Sequence, residues 1–180
     1  TGFYRTGARF AFTEAGVVPD LLVLGKALTG GTLPLAATVA TDTVFEAFLG
    51  DVPEKALQHG PTYMGNPLAC AAAHASLDLF DAGDFDARVQ RLSERLRDGA
   101  KHIVRGHHVR DVRVKGALLA VELSPGKAPP SEYFATLGAF VRPLRSNRSD
   151  VVYLTPPLII DDNDLDILVR AVVDAIASGA

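Results

Sequence analysis

The chain has 180 residues, 48% of them hydrophobic, enough to bury a real core as one or two compact units. Its net charge of −3 comes with no basic stripe, which removes the electrostatic footprint of a nucleic-acid binder. One cysteine, Cys70, excludes an internal disulfide and suits a reducing, cytoplasmic setting. No apolar run approaches the roughly 20 residues that span a bilayer, and the histidines lack metal-ligand spacing, so neither membrane nor metal is expected.

Along the chain, Leu21–Leu24 and Leu35–Val39 are short apolar runs, read as strands of a sheet covered on both faces in an α/β layer. Asp42 is placed to cap a helix through Val44, Phe45 and Phe48. Pro67 suits the first turn of a second helix, Leu68 to Phe80, whose alanine-rich face packs closely. Gly83-Asp84 marks a boundary. After it, Phe85, Val89, Leu92, Leu96 and Ile103 recur at helical spacing with polar residues between them. Val112 and Val114 alternate with Arg113 and Lys115, and Gly116 leads into Leu118–Leu123, which reads as a hairpin. Pro125 to Pro130 form a loop, Val151–Leu154 a strand ended by Pro156-Pro157. Leu165, Leu168, Val169, Val172 and Ile176 define a last amphipathic helix. The second half is thus an α+β unit.

Lys26 carries the most chemical content. It leaves Leu21–Leu24 through Gly25 and enters Ala27-Leu28-Thr29-Gly30-Gly31, an amine at a strand end where backbone can crowd a ligand. An amine in a partly desolvated site has a lowered pKa and attacks carbonyls. On this local pattern alone, a lysine that snorkels into water is the simpler account. Lys55, Lys101, Lys115 and Lys127 have polar or periodic surroundings and read as solvated. Gly60-Pro61-Thr62 is a loop ahead of a helix, where N–H groups and a hydroxyl suit a phosphate; an ordinary turn and cap has the same signature. Arg142, between Phe140-Val141 and Pro143, either presents its planar fork to a carboxylate or is a surface arginine.

Four ordered segments decide between these readings: Thr1-Gly2-Phe3-Tyr4-Arg5-Thr6-Gly7, Pro19-Asp20 with Gly25-Lys26-Ala27-Leu28-Thr29-Gly30-Gly31, His59-Gly60-Pro61-Thr62-Tyr63-Met64-Gly65-Asn66-Pro67, and Val141-Arg142-Pro143. Together they resemble the class III aminotransferases, from Thr1 to about Ile176. The resemblance implies an α/β chain of the aspartate aminotransferase-like fold type I. Residues 1–82 would end the large domain that binds pyridoxal 5'-phosphate (PLP), and residues 83–180 would form the small α+β C-terminal domain.

The same resemblance implies PLP as cofactor, with Lys26 as the catalytic residue that holds its aldehyde. Once the substrate amine has displaced it, Lys26 moves the proton between Cα and C4′. Pro61 and Thr62 would bind cofactor, the threonine reaching the phosphate of the partner subunit's PLP in a homodimer with shared sites, and Gly60 would line the substrate cleft. In the family member whose wording is most similar, an amino group passes from S-adenosylmethionine to 7-keto-8-aminopelargonate in biotin biosynthesis. Arg142 matches the arginine that grips the acceptor's carboxylate there. Another class III ω-amino acid transaminase or aminomutase is the alternative, as is a non-catalytic folded or dimerising fragment. The family's cofactor aspartate, Gly-Ser phosphate loop and ring-stacking aromatic have no counterpart, so the chain is expected to be the C-terminal portion of a longer enzyme. Two departures stand out. Tyr4 occupies a place where glycine is usual, and Leu144 to Asp150 is longer than its counterpart.

Overall fold

The computed structural model describes residues 1–103 and 106–178. They form two compact units, Ala11–Asp84 on one side of the division and Phe3–Phe10 with the residues from Phe85 onward on the other.

The first unit contains α1 (Ala11–Ala15), β1 (Leu21–Leu24), a 3-10 turn (Lys26–Thr29), β2 (Ala37–Ala40), α2 (Asp42–Glu46), a second 3-10 turn (Pro53–Lys55) and α3 (Pro67–Ala82). β1 and β2 pair antiparallel, Leu21 opposite Ala40 and Leu24 opposite Ala37. Pairing begins at Ala37, so the strand expected from Leu35 starts two residues later. No residue of either strand is buried, and Val23 is 73% exposed. The cover expected on both faces is therefore not supplied by the described residues. Thr41, not Asp42, takes the cap position of α2; Asp42 is the first helical residue, where its charge complements the helix dipole, and Phe48 lies beyond the helix.

α3 begins as its sequence dictates. Asn66 Oδ1 accepts the N–H groups of Leu68 and Ala69, and Pro67 occupies the first position, where no N–H is needed. Its buried stripe is small, Ala69, Ala73 and Ser76, which lets the first 3-10 turn approach closely. Ser76 Oγ donates to the Ala27 carbonyl at 2.9 Å, and Leu28 and Thr29 are buried.

The second unit contains α4 (Phe85–Ala100), β3 (Val109–Lys115), β4 (Leu118–Leu123), α5 (Ser131–Thr136), β5 (Leu144–Arg145), β6 (Asp150–Leu154) and α6 (Asp162–Ala177). Its antiparallel sheet has the order β3-β4-β6-β5. Period-two alternation buries Leu119, Val121 and Leu123 on β4, with Leu119 opposite Leu154 and Val121 opposite Val152 on β6. Leu92 and Leu96 of α4, Leu165 and Val172 of α6, and Phe134 of α5 complete this core. α4 ends at Ala100 because the next three N–H groups reach back only three residues; Ile103, expected on the helix, is buried from this tighter turn. α5 and β5 are too short to carry a periodic signal.

Phe3–Phe10 joins this second unit through specific contacts. The Ala117 N–H donates to the Arg5 carbonyl at 3.1 Å, and Arg5 Nη1 donates to the Pro156 carbonyl at 2.6 Å. Burial lowers the pKa of the Arg5 guanidinium. Tyr4 adopts φ +69, the left-handed region that glycine occupies without penalty, at a cost of about 1–2 kcal/mol. Its ring is buried and stacks on Phe85 with centroids 5.7 Å apart. Burying an aromatic surface of that size offsets the backbone strain.

Candidate active site

Lys26 stands at the exit of β1 with φ +50. A left-handed lysine costs of order 1 kcal/mol and persists only when neighbours over-determine the backbone. They do so here. Leu28 N–H donates to the Gly25 carbonyl at 3.1 Å, Gly30 N–H to the Ala27 carbonyl at 3.0 Å, and Gly30 closes the turn at φ +60. Buried Leu28 and Thr29 anchor the following residues against α3. The main chain is held while the Lys26 side chain is exposed and has no partner among the described residues. The desolvation anticipated for this amine is not supplied by the described residues.

Gly60, Pro61 and Thr62 are exposed and enter a turn in which Met64 N–H donates to the Pro61 carbonyl at 2.9 Å. Helix α3 starts only at Pro67, and Asn66 already satisfies two of its first N–H groups. An anion at this loop would therefore meet the Thr62 hydroxyl and turn N–H groups rather than the helix terminus. Lys26 and residues 60–62 share the first unit, with no hydrogen bond or ion pair between them.

Arg142 belongs to the second unit. Val141 before it is buried at 3% exposure, whereas Arg142 is exposed and its guanidinium has no partner among the described residues. Arg145, three residues on, is engaged. It reaches the buried Asp150 and two backbone carbonyls. Asp150 lies one residue before the strand expected from Val151, and only the structure puts it on the inward row of β6 with Val152 and Leu154.

A partner-free amine at a strand exit and an exposed threonine hydroxyl on a turn are the donor types that hold an aldehyde and a phosphate. On that chemistry the residues present fit PLP at two points.

Residues 1–176 match the model of the aminotransferase class-III family. The chain belongs to that family, and its fold is that of the PLP-dependent aminotransferases of fold type I. Among its relatives, the adenosylmethionine-8-amino-7-oxononanoate aminotransferase of Geobacter sulfurreducens is 40% identical over 182 residues, covering 93% of this chain and 39% of its own length. The protein of the same name from Aquifex aeolicus is 38% identical, covering 94% and 40%. A crystal structure under that name from Methanocaldococcus jannaschii superposes with a TM-score of 0.88 at 35% identity, covering 98% of this chain and 44% of its own. An amine transaminase from an uncultivated Pseudomonas species, in its PLP-bound form, gives 0.88 at 30% identity over 99% and 43%. The chain spans about two fifths of the length of the curated relatives it matches. No helix among the described residues is long and apolar enough to cross a membrane.

Proposed function

We propose that this chain serves a cytoplasmic, homodimeric PLP-dependent transaminase of biotin synthesis, which takes an amino group from S-adenosylmethionine and gives it to 7-keto-8-aminopelargonate. The observation that carries the reading is Lys26, held left-handed at the β1 exit with its amine unpartnered among the described residues, inside a chain matched by the class-III family over residues 1–176. The names of the Geobacter and Aquifex relatives support the choice of substrates. In this reading residues up to Ala82 close the PLP-binding large domain, and those after it form the small domain.

PLP, when bound, supplies the electron sink that acidifies the substrate's Cα–H. Lys26 Nζ would hold the cofactor through its aldehyde carbon and, when free, would carry the proton between the substrate's Cα and C4′. Thr62 would offer its hydroxyl to the phosphate of the PLP bound by the partner subunit, with Pro61 beside it and Gly60 lining the substrate cleft. Arg142 presents two parallel N–H donors to the acceptor's carboxylate, a geometry that lysine cannot reproduce.

Borohydride reduction of the intact, PLP-loaded enzyme followed by peptide mass spectrometry tests the assignment without relying on turnover. A phosphopyridoxyl mass on the peptide containing Lys26 is expected. The same mass on Lys55 or Lys101, with Lys26 unmodified, would overturn it.

A further inference from the structure

We infer that Arg145 and Asp150 are positioning residues for Arg142: their ion pair sets how far the Arg142 guanidinium reaches toward a carboxylate substrate. The inference rests on the role proposed above for Arg142.

The alternation of β6 puts Asp150, Val152 and Leu154 on one inward row. Asp150 stands opposite Leu123, which is fully buried, and is itself only 1% exposed. A carboxylate there needs hydrogen bonds and a countercharge to be tolerated. Its Oδ2 accepts the Ala128 N–H at 3.0 Å and Arg145 Nη1 at 3.4 Å. The other arm of the same guanidinium, Nη2, donates to the carbonyls of Ala128 at 2.8 Å and Pro129 at 3.3 Å. One arginine therefore ties together the loop before α5, the end of β5 and the start of β6.

That clamp matters because β5 has little else. It is two residues long, pairing Leu144 with Val151 and Arg145 with Asp150, and so short a pairing is marginal by itself. The connection to β6 is closed by Ser146, whose Oγ donates to the Ser149 carbonyl at 2.7 Å and accepts the N–H groups of Arg148 and Ser149. Upstream, Val141 is buried in the core cluster. The main chain from Val141 to Arg145 is thus pinned by burial at one end and by the Arg145–Asp150 clamp at the other. Arg142 projects from between the pins with no partner of its own among the described residues. Release of the second pin leaves the backbone of Arg142 held at one end only. A bidentate contact is the kind most sensitive to such a change.

The test compares, in the intact PLP-loaded enzyme, the keto acceptor carrying a free carboxylate with its methyl ester. Arg145→Met is expected to raise KM for the carboxylate about tenfold or more, since an ångström-scale misplacement costs up to about 10²-fold. KM for the ester and the rate of the donor half-reaction should stay within about twofold. Arg145→Lys keeps the countercharge of Asp150 but not the fork that reaches both carbonyls, so it should fold and lose part of the preference. Arg142→Ala is the reference. If it leaves the carboxylate-over-ester preference intact, the role proposed for Arg142 fails and the inference falls with it. If Arg142→Ala erases the preference while folded Arg145→Met or Arg145→Lys retains it in full, the inference alone is overturned. Equal losses on carboxylate, ester and donor would mark a purely structural role and overturn it too.

Discussion

Replacing Gly99 with alanine probes a close approach of α4 to α6. A Cβ added at Gly99 stands 2.1 Å from Val169 Cγ1 and 3.3 Å from Val169 Cβ. Carbon atoms in contact sit at about 3.5–4.0 Å, so the new methyl overlaps its neighbour by more than an ångström. Two effects oppose each other. Helix propensity favours alanine over glycine by up to about 1 kcal/mol, while overpacking a well-filled site costs about 1–3 kcal/mol. Val169 has little means of escape: it is 8% exposed, and a β-branched residue in a helix holds one χ1 rotamer in about 90% of cases. The overlap therefore wins, and Gly99→Ala is expected to destabilise the protein by about 1–2 kcal/mol. Urea unfolding of the purified protein, followed by far-UV circular dichroism, measures it. Val169→Ala by itself opens a void and should cost about 1–3 kcal/mol. In the double variant the alanine at position 99 fills part of that void, so the two losses should fall short of additive by about 1 kcal/mol. A Gly99→Ala protein as stable as the parent, or strictly additive losses, would refute the close crossing of these helices.

Two other expectations follow from the same geometry. If Thr62 serves the partner's cofactor, mixing Lys26→Ala and Thr62→Ala subunits regenerates one intact site per mixed dimer, so about a quarter of the parental activity returns from two weak or inactive variants; no recovery after confirmed subunit exchange counts against the shared site. At the end of α4, the hydrogen bond from Lys101, and then its charge, hold the Asp98 carboxyl below its ordinary value of 3.8. A depressed carboxyl contributes stability above the ordinary value and loses it as pH falls through the folded-state value. Lys101→Met should therefore flatten the acid limb of stability below about pH 4, and an unchanged limb in paired pH titrations of the two proteins would refute the coupling.

Much of this molecule is legible one segment at a time. The helices α3, α4 and α6 follow from spacing, helped at the head of α3 by Pro67. The β3–β4 hairpin follows from alternation around Gly116. Lys26, Gly60, Pro61, Thr62 and Arg142 were all legible as candidates because each lies in a short motif with its own local chemistry.

Other features exist only through pairing at long range. Nothing near Thr1 indicates that Phe3–Phe10 packs with residues from Phe85 onward, because that choice is made by Arg5 meeting Pro156 and Ala117, more than a hundred residues away. The left-handed backbone at Tyr4 and Lys26 is likewise imposed from outside, by a stacked ring in one case and a buried turn in the other. Asp150 reads as a polar strand terminus until register sets it opposite Leu123 and in reach of Arg145. Periodicity and capping are properties of neighbouring residues, so the sequence by itself determined the longer helices, the β3–β4 hairpin, the family and the chemical groups on offer. Which strand edge meets which loop depends on where buried polar groups find partners, and only the tertiary structure decided that.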